Sequence, residues 1–368
     1  MATVCATHSI PSSSAERGIN TVSEMFLSVR DLVIEYTSGA QVIHAVNGVS
    51  FDLEKGKTLG LVGETGAGKT SIAKSIIGVL HKPPAKICGG EILLEDKDLL
   101  KTPEKEMLSI RGKRISMIFQ DPMTALNPLM SIGDQIAEVI QLHSGDTGAG
   151  THAAKERTLE ILKMVGITPE RYSEYPYQFS GGMKQRVVIA VALACNPELL
   201  LADEPTTALD VTIQAQVLEM ITGLKTKLNT SMILITHDLG VVAEMCDSVA
   251  VVYAGQIIEI GSREDLFDRY THPYTEGLFG SLPMMAIGQK RLRPISGMMP
   301  DPTNLPRGCS FNPRCPYVQE RCRQEAIPLA ELSPGHFCRC ILQSVLEKQP
   351  EQHGADAELN REMKANKR

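Results

Sequence analysis

No apolar run in this 368-residue sequence reaches about 18 residues, the rough length of a helix that crosses a bilayer, so no membrane-spanning helix is expected. The opening stretch MATVCATHSIPSSSAERGIN lacks the hydrophobic core of a secretory signal, and the chain is expected to stay in the cytosol. There is no excess of positive charge. With 37 basic residues against 43 acidic, the net charge is -6, so no overall field draws in nucleic acid or anionic lipid, and any such attraction needs a local basic patch. Tryptophan is absent and aromatics are few, but 43% apolar and 22% charged residues are ordinary for a folded chain, so disorder is not the default. The length exceeds one small core and suggests two domains, or one large domain with an appendage.

What is present is unevenly placed. Of nine cysteines, five (Cys309, Cys315, Cys322, Cys338 and Cys340) fall within 32 residues, and in a reducing compartment such crowding suggests metal rather than disulfides. Residues 1–24 are Ser/Thr-rich and aperiodic, while 346–368 are charged and nearly free of large apolar groups; both read as mobile tails. FLSVRDLVIEY and AVNGVSFDL alternate like strands, and TLGLVGETGAGKTSIAKSIIGVL passes from a buried strand through a glycine loop into a helix. A helical period governs about 121–185, interrupted by the Gly-rich GDTGAG. Strand-like runs return at ELLLAD, SMILIT and SVAVVYAG, apolar throughout and so expected to be buried on both faces of a parallel sheet. Near residue 261 the composition turns proline- and cysteine-rich, which sets expected limits of 25–260 for an α/β domain and 261–345 for an extension.

Gly63, Glu64, Thr65, Gly66, Ala67, Gly68, Lys69 and Thr70 fit G-x-x-x-x-G-K-[ST] between a strand and a helix, the context in which this pattern grips phosphate. The glycines let successive N–H groups face anionic oxygens, and the helix start adds its positive end. Lys69 is expected to reach the β and γ phosphates and the Thr70 hydroxyl to hold magnesium, with Ser71 beside it. The strand ELLLAD then delivers Asp203 towards the metal and Glu204 towards a water. Gln120 and His237 each follow an apolar strand-like run, a position that faces the crevice at the carboxyl ends of parallel strands. No second phosphate loop appears, so the chain is not an internal duplication.

Phosphate loop, Gln120, Ser180-Gly181-Gly182, Asp203-Glu204 and His237, in that order, resemble the ATP-binding cassette family across about residues 26–260. The resemblance implies a P-loop NTPase core with a β-subdomain and a helical insert, ATP and Mg2+ as ligands, and two ATPs sandwiched between head-to-tail subunits. Ser180, Gly181 and Gly182 would then cap the γ-phosphate bound to the partner, Asp210 would cross towards it, and Tyr36 would lie against adenine. Gln120 would touch the metal and the coupling interface, Glu204 would polarise water, and His237 would contact the γ-phosphate. The signature departs from the common form in Phe179 and Met183.

IFQDPMTALNP, HPYTEGLFGSLP and LPRGCSFNPRCPYVQERC are similar to the ATPase subunits of oligopeptide, dipeptide and nickel importers. That similarity implies a peripheral ATPase at the cytoplasmic face, a second ATPase subunit forming a heterodimer, two permease subunits, an extracytoplasmic solute-binding protein and no nucleic acid. It also implies an iron–sulfur cluster of the 4Fe-4S type on Cys309, Cys315, Cys322 and Cys340, with Cys338 as alternative fourth ligand. Zn2+, helped by His336, and metal-free thiols remain open. The rival function is a soluble ATPase of the same family acting on nucleic acid or the ribosome through a zinc module. The single cassette, the acidic balance and the lack of a long coiled coil weigh against it.

Overall fold

The structure, a computed structural model, describes residues 25–143, 150–207, 209–280 and 295–342. The two expected tails, residues 145–149 of the Gly-rich stretch and residues 281–294 lie outside the described residues. Strands β1 (Met25–Ser38) and β2 (Gln41–Glu54) come first, and β3 (Thr58–Val62) leads into the phosphate loop. They are followed by β4 (Ala85–Leu94), β5 (Lys97–Asp98), β6 (Ile115–Ile118), β7 (Leu199–Asp203), β8 (Ser231–Thr236), β9 (Ser248–Tyr253) and β10 (Gln256–Ser262). Two short strands, β11 (Ala330–Ser333) and β12 (His336–Cys338), come from the cysteine-rich segment.

Among the described residues these form an antiparallel sheet, β2-β1-β4-β5, and a larger one, β11-β12-β10-β9-β3-β8-β7-β6. In the larger sheet β9, β3, β8, β7 and β6 run parallel. Both of its faces are covered, which explains why those strands read as unbroken apolar runs. Leu199 and Leu201 of β7 enter one core, beside Ile72 and Ile76 of the helix Lys69–Ile76 and Val29 of the antiparallel sheet. Leu200 and Ala202 point into the other core, beside Ile136, Val187 and Ile221 of the helical side. Successive residues alternate faces in a strand, so a two-sided sheet needs an apolar residue at every position. Each fully buried leucine here is worth about 2–5 kcal/mol against alanine.

The expected helical insert is present as helices Ile132–His143, Gly150–Met164 and Gly181–Leu193, with short 3-10 turns at Pro169–Ser173 and Pro176–Gln178 between the last two. Ile132, Ile136 and Ile140 recur every four residues and are buried in one cluster with Ile161, Leu162 and Val165. No helix among the described residues is long and apolar enough to cross a membrane.

The cysteine-rich segment continues the ATPase sheet. Strand β12 pairs antiparallel with β10, placing Cys338 opposite Glu259, and β11 turns back on β12 across Gly335 at φ 80°. Glu259 is fully buried and accepts from the backbone N–H of Thr271 and His272 at 2.7 and 3.0 Å. The His336 ring nitrogen meets the same carboxylate at 3.0 Å. Three groups from two separate segments thus converge on one buried carboxylate.

Candidate active site

The phosphate loop leaves β3 at Val62 and enters the helix at Lys69. Two of its glycines are fixed by space as well as by conformation. A Cβ on Gly63 (φ 150°) would lie 2.1 Å from the Val252 carbonyl oxygen, and one on Gly68 (φ 101°) 2.3 Å from that of Ala45. Gly68 caps the helix without a side-chain bond, leaving the first helical N–H groups free for an anion. Thr65 and Gly66 are exposed and Ala67 is buried.

Lys69 is 6% exposed, and its Nζ donates to the Gly63 and Glu64 carbonyls at 2.7 and 2.9 Å. Burial pulls its ammonium below the usual lysine range, against the opposing attraction of Glu204, Asp203 and Glu64. The hydroxyl of Thr70 donates to Asp203 at 3.1 Å, so the two oxygens expected to hold magnesium already adjoin. Burial raises the Asp203 carboxyl, with Thr70 and nearby lysines opposing. A hydroxyl and a carboxylate form the hard oxygen donor set that Mg2+ takes together with phosphate oxygens, and the residues present fit that ion. Tyr36 holds its hydroxyl 3.0 Å from that of Ser71, at the side of the same helix.

Glu204 gathers the remaining candidates. Gln120 Nε2 donates to its Oε2 at 2.8 Å, the Thr207 hydroxyl donates to the same oxygen at 2.9 Å, and His237 Nδ1 lies 3.1 Å from Oε1. Burial alone would raise this carboxyl, but Thr207, His237 and Gln120 together hold it below the ordinary glutamate value, so it is ionised at neutral pH. Its backbone has φ 46°, a left-handed conformation that costs a non-glycine residue about 1–3 kcal/mol. The Glu204 N–H donating to the Ile235 carbonyl at 2.8 Å helps hold it there. Thr207 was not singled out from the sequence. Its one signal was its place three residues after a candidate base, which does not distinguish it from any turn threonine.

Ser180-Gly181-Gly182 lies elsewhere. Ser180 is exposed and sits at the N-cap of the helix Gly181–Leu193 without a side-chain capping bond. Among the described residues no hydrogen bond joins this turn to the phosphate loop of its own chain. Phe179 is buried under the Arg171 guanidinium, 4.1 Å from its ring centroid, and the Met183 sulfur accepts from Arg171 at 3.3 Å. The two departures in the signature therefore pack against one arginine. Asp210 is exposed and caps the helix Val211–Leu228, accepting from the Ile213 N–H at 3.0 Å.

The cysteines separate into two groups. Cys309, Cys315, Cys322 and Cys340 line one small cavity, with His272 and Arg339 beside them, whereas Cys338 is buried in β12 and does not line it. The turn at Gly308 (φ 76°) brings the Cys309 N–H to the Cys322 carbonyl at 2.8 Å. Burial raises the thiols of Cys309, Cys315 (to about 11) and Cys340 (to about 12), with the Arg339 guanidinium opposing the shift at Cys309. Among the described residues no group of three or more His, Cys, Asp or Glu side chains is disposed to hold a metal ion. The thiols share a cavity without forming a finished ligand set. His336, expected as a nitrogen for zinc, is committed to Glu259. His272 occupies the cavity wall instead, with Nδ1 accepting the Tyr274 N–H at 3.0 Å and its buried Nε2 without a hydrogen-bond partner among the described residues.

Comparison with known proteins places these features together. Residues 46–207 match the ABC transporter family and residues 258–322 the oligopeptide/dipeptide transporter C-terminal region. The chain is 49% identical over 322 residues to the dipeptide transport ATP-binding protein DppD of Bacillus subtilis, covering 87% of this chain and 95% of that one. It is 44% identical over 319 residues to the oligopeptide transport ATP-binding protein OppD of Escherichia coli, covering 87% and 94%. Among solved structures, a dimeric ATP-binding cassette in a post-hydrolysis state with ADP and Pi aligns at TM-score 0.58 and 25% identity, covering 64% of this chain and 98% of that one.

Proposed function

Because this chain belongs to the oligopeptide and dipeptide transport branch of the ABC transporter ATP-binding proteins, we propose that Gln120, Glu204 and His237 work on ATP held by Lys69 and Thr70. The protein is the ATPase subunit of a peptide ABC importer. The observation that carries the residue assignment is the convergence of Gln120, Thr207 and His237 on the Glu204 carboxylate, at the same carboxyl end of the parallel strands as the Thr70–Asp203 pair.

Lys69 meets the β and γ phosphates once it leaves the loop carbonyls, and the free N–H groups at the helix start take the remaining oxygens. Thr70 and Asp203 would hold magnesium, which would supply positive charge against the phosphates. Glu204, ionised and aimed by three neighbours, orients the attacking water and accepts its proton. His237, 66% exposed, reaches the γ-phosphate side of the carboxylate. The exposed Ser180 turn serves the nucleotide of a second ATPase subunit, which makes the working unit a pair, here a heterodimer. The pair docks at the cytoplasmic face beneath two permease subunits fed by a solute-binding protein, and transmits motion through the helical side next to Gln120. The solute is a di- or oligopeptide; the alternative of a nickel-type solute lacks a specific feature in this chain.

The cysteine cavity is the site of an iron–sulfur cluster on Cys309, Cys315, Cys322 and Cys340. The donor set is all sulfur, which an iron–sulfur cluster takes as readily as a tetrahedral zinc. What favours the cluster is the arrangement of the four cysteines along the sequence, which resembles that of the importer ATPases. Purification of the full chain from its native membranes tests the assembly: a second ATPase and two permease subunits should accompany it. Uptake of labelled dipeptide by the same membranes should be lost on Lys69→Ala. Recovery with ribosomes, or without membrane subunits, rejects the reading.

A further inference from the structure

The cysteine-rich segment reaches the phosphate loop itself. The Arg314 guanidinium holds Glu64 with both arms: Nη1 donates to Oε2 at 3.0 Å and Nη2 to Oε1 at 3.1 Å. Such a forked pair fixes direction as well as charge. Arg314 is 6% exposed and Glu64 31%, so the pair is shielded on the arginine side. Its Nε donates to the Ser296 carbonyl at 3.0 Å, and its charge lies 5.8 and 5.9 Å from the ring centroids of Tyr253 and Phe311. Those rings pack on each other at 5.3 Å and on Tyr274 at 4.6 and 5.4 Å. The Tyr274 hydroxyl in turn accepts the Glu64 backbone N–H at 3.0 Å. One loop residue is therefore gripped at its amide by residue 274 and at its carboxylate by residue 314.

Glu64 is awkwardly placed for a loop that must receive polyphosphate. Its carbonyl accepts from Lys69 Nζ, and its carboxylate acts on that lysine through space. An uncancelled carboxylate there faces an incoming ligand of three or four negative charges. We propose that Arg314 is a positioning residue of the nucleotide site, holding Glu64 in place and cancelling its charge so that the loop accepts a nucleoside polyphosphate. The cysteine-rich segment is then part of the ATP site as well as the carrier of its own. Three like charges about 8 Å away in a water-like dielectric correspond to roughly tenfold in affinity at low salt, where the Debye length (~30 Å at 0.01 M) exceeds the separation, and to roughly threefold at physiological salt.

This inference rests on the loop being an ATP site, and a charge cycle in the full-length chain tests it, read by titration with a ribose-labelled fluorescent ATP. At low salt Arg314→Gln should bind roughly tenfold more weakly, with the loss shrinking as salt is raised. Glu64→Gln should shift affinity the other way, because the freed guanidinium then attracts the phosphates. The double variant should recover most of the loss, a rescue that a purely steric role does not give. Arg314→Lys, which keeps the charge and loses the fork, should fall between wild type and Arg314→Gln, and it keeps the test open if the glutamine variant does not fold. Equal binding by Arg314→Gln and wild type, or a double variant as weak as Arg314→Gln, overturns the proposal. Failure of the wild-type chain to bind ATP at all instead overturns the assignment of the loop.

Discussion

Replacing Glu204 by glutamine isolates the chemistry of hydrolysis from the architecture that holds it. Oε2 accepts from Gln120 and Thr207, and an amide oxygen in that place accepts from both; the amide nitrogen then takes the Oε1 position and donates to His237 Nδ1. The left-handed backbone at φ 46° and its bond to Ile235 are untouched. Stability should change by no more than about 0.5 kcal/mol. What disappears is the proton acceptor, and a positioned general base contributes about 10²–10⁴-fold, so turnover should fall by that factor while ATP affinity stays within a few-fold. The assay is phosphate release at saturating Mg-ATP from the assembled transporter, with nucleotide binding measured in parallel. pH gives a second reading. Because its neighbours hold the Glu204 carboxyl below the ordinary value, the active ionised form persists down through the usual glutamate range, and the activity due to this base is lost only as pH falls through the depressed value. Turnover of Glu204→Gln within tenfold of wild type would refute the assignment, and a parallel loss of ATP affinity would mean that the network had collapsed.

Other sites give equally direct outcomes. Lys69→Ala removes the buried ammonium that otherwise moves from the Gly63 and Glu64 carbonyls to phosphate, and ATP affinity should drop by about ten- to a hundredfold in equilibrium binding; unchanged affinity rejects it as the phosphate lysine. Ser180→Arg should leave ATP binding by the isolated chain intact and abolish ATP-driven association in size-exclusion chromatography; weaker ATP binding in the folded monomer would mean that the turn serves its own nucleotide. Anaerobically purified protein should be brown and bleach on reduction, with Cys309→Ser, Cys315→Ser, Cys322→Ser or Cys340→Ser removing the colour and Cys338→Ser keeping it. Colourless protein with one zinc per chain would keep the site and replace its metal, and protein without metal would leave ordinary thiols.

The sequence by itself determined the parts of this protein that depend on neighbours along the chain. A strand, a glycine turn and a helix start must be contiguous to grip phosphate, so residues 63–70 declare themselves. Unbroken apolar runs such as Leu199–Ala202 announce a sheet covered on both faces, because alternate residues must enter two cores. Carboxylates at the end of such a run, with Gln120 and His237 after two others, follow from the same strand-end logic. Crowding within 32 residues singled out five cysteines, and the resemblance to importer ATPases nominated the four of them that line one cavity.

Tertiary structure decided which groups spend their hydrogen bonds on each other. Glu64 and Arg314 are 250 residues apart, and no period or local motif ties a loop glutamate to an arginine beside a cysteine. Thr207 reaches the Glu204 carboxylate only because the chain turns left-handed there. His336, eligible as a ligand by sequence, is removed from that role by Glu259, a residue on a strand that only the pairing of β12 with β10 brings within reach. The same pairing seats Cys338 in a strand and leaves Cys340, just past its end, to enter the cavity. Hydrogen bonds and charge pairs act over about 3–4 Å regardless of sequence separation, so their partners are fixed only once the sheet has set which strand edges meet.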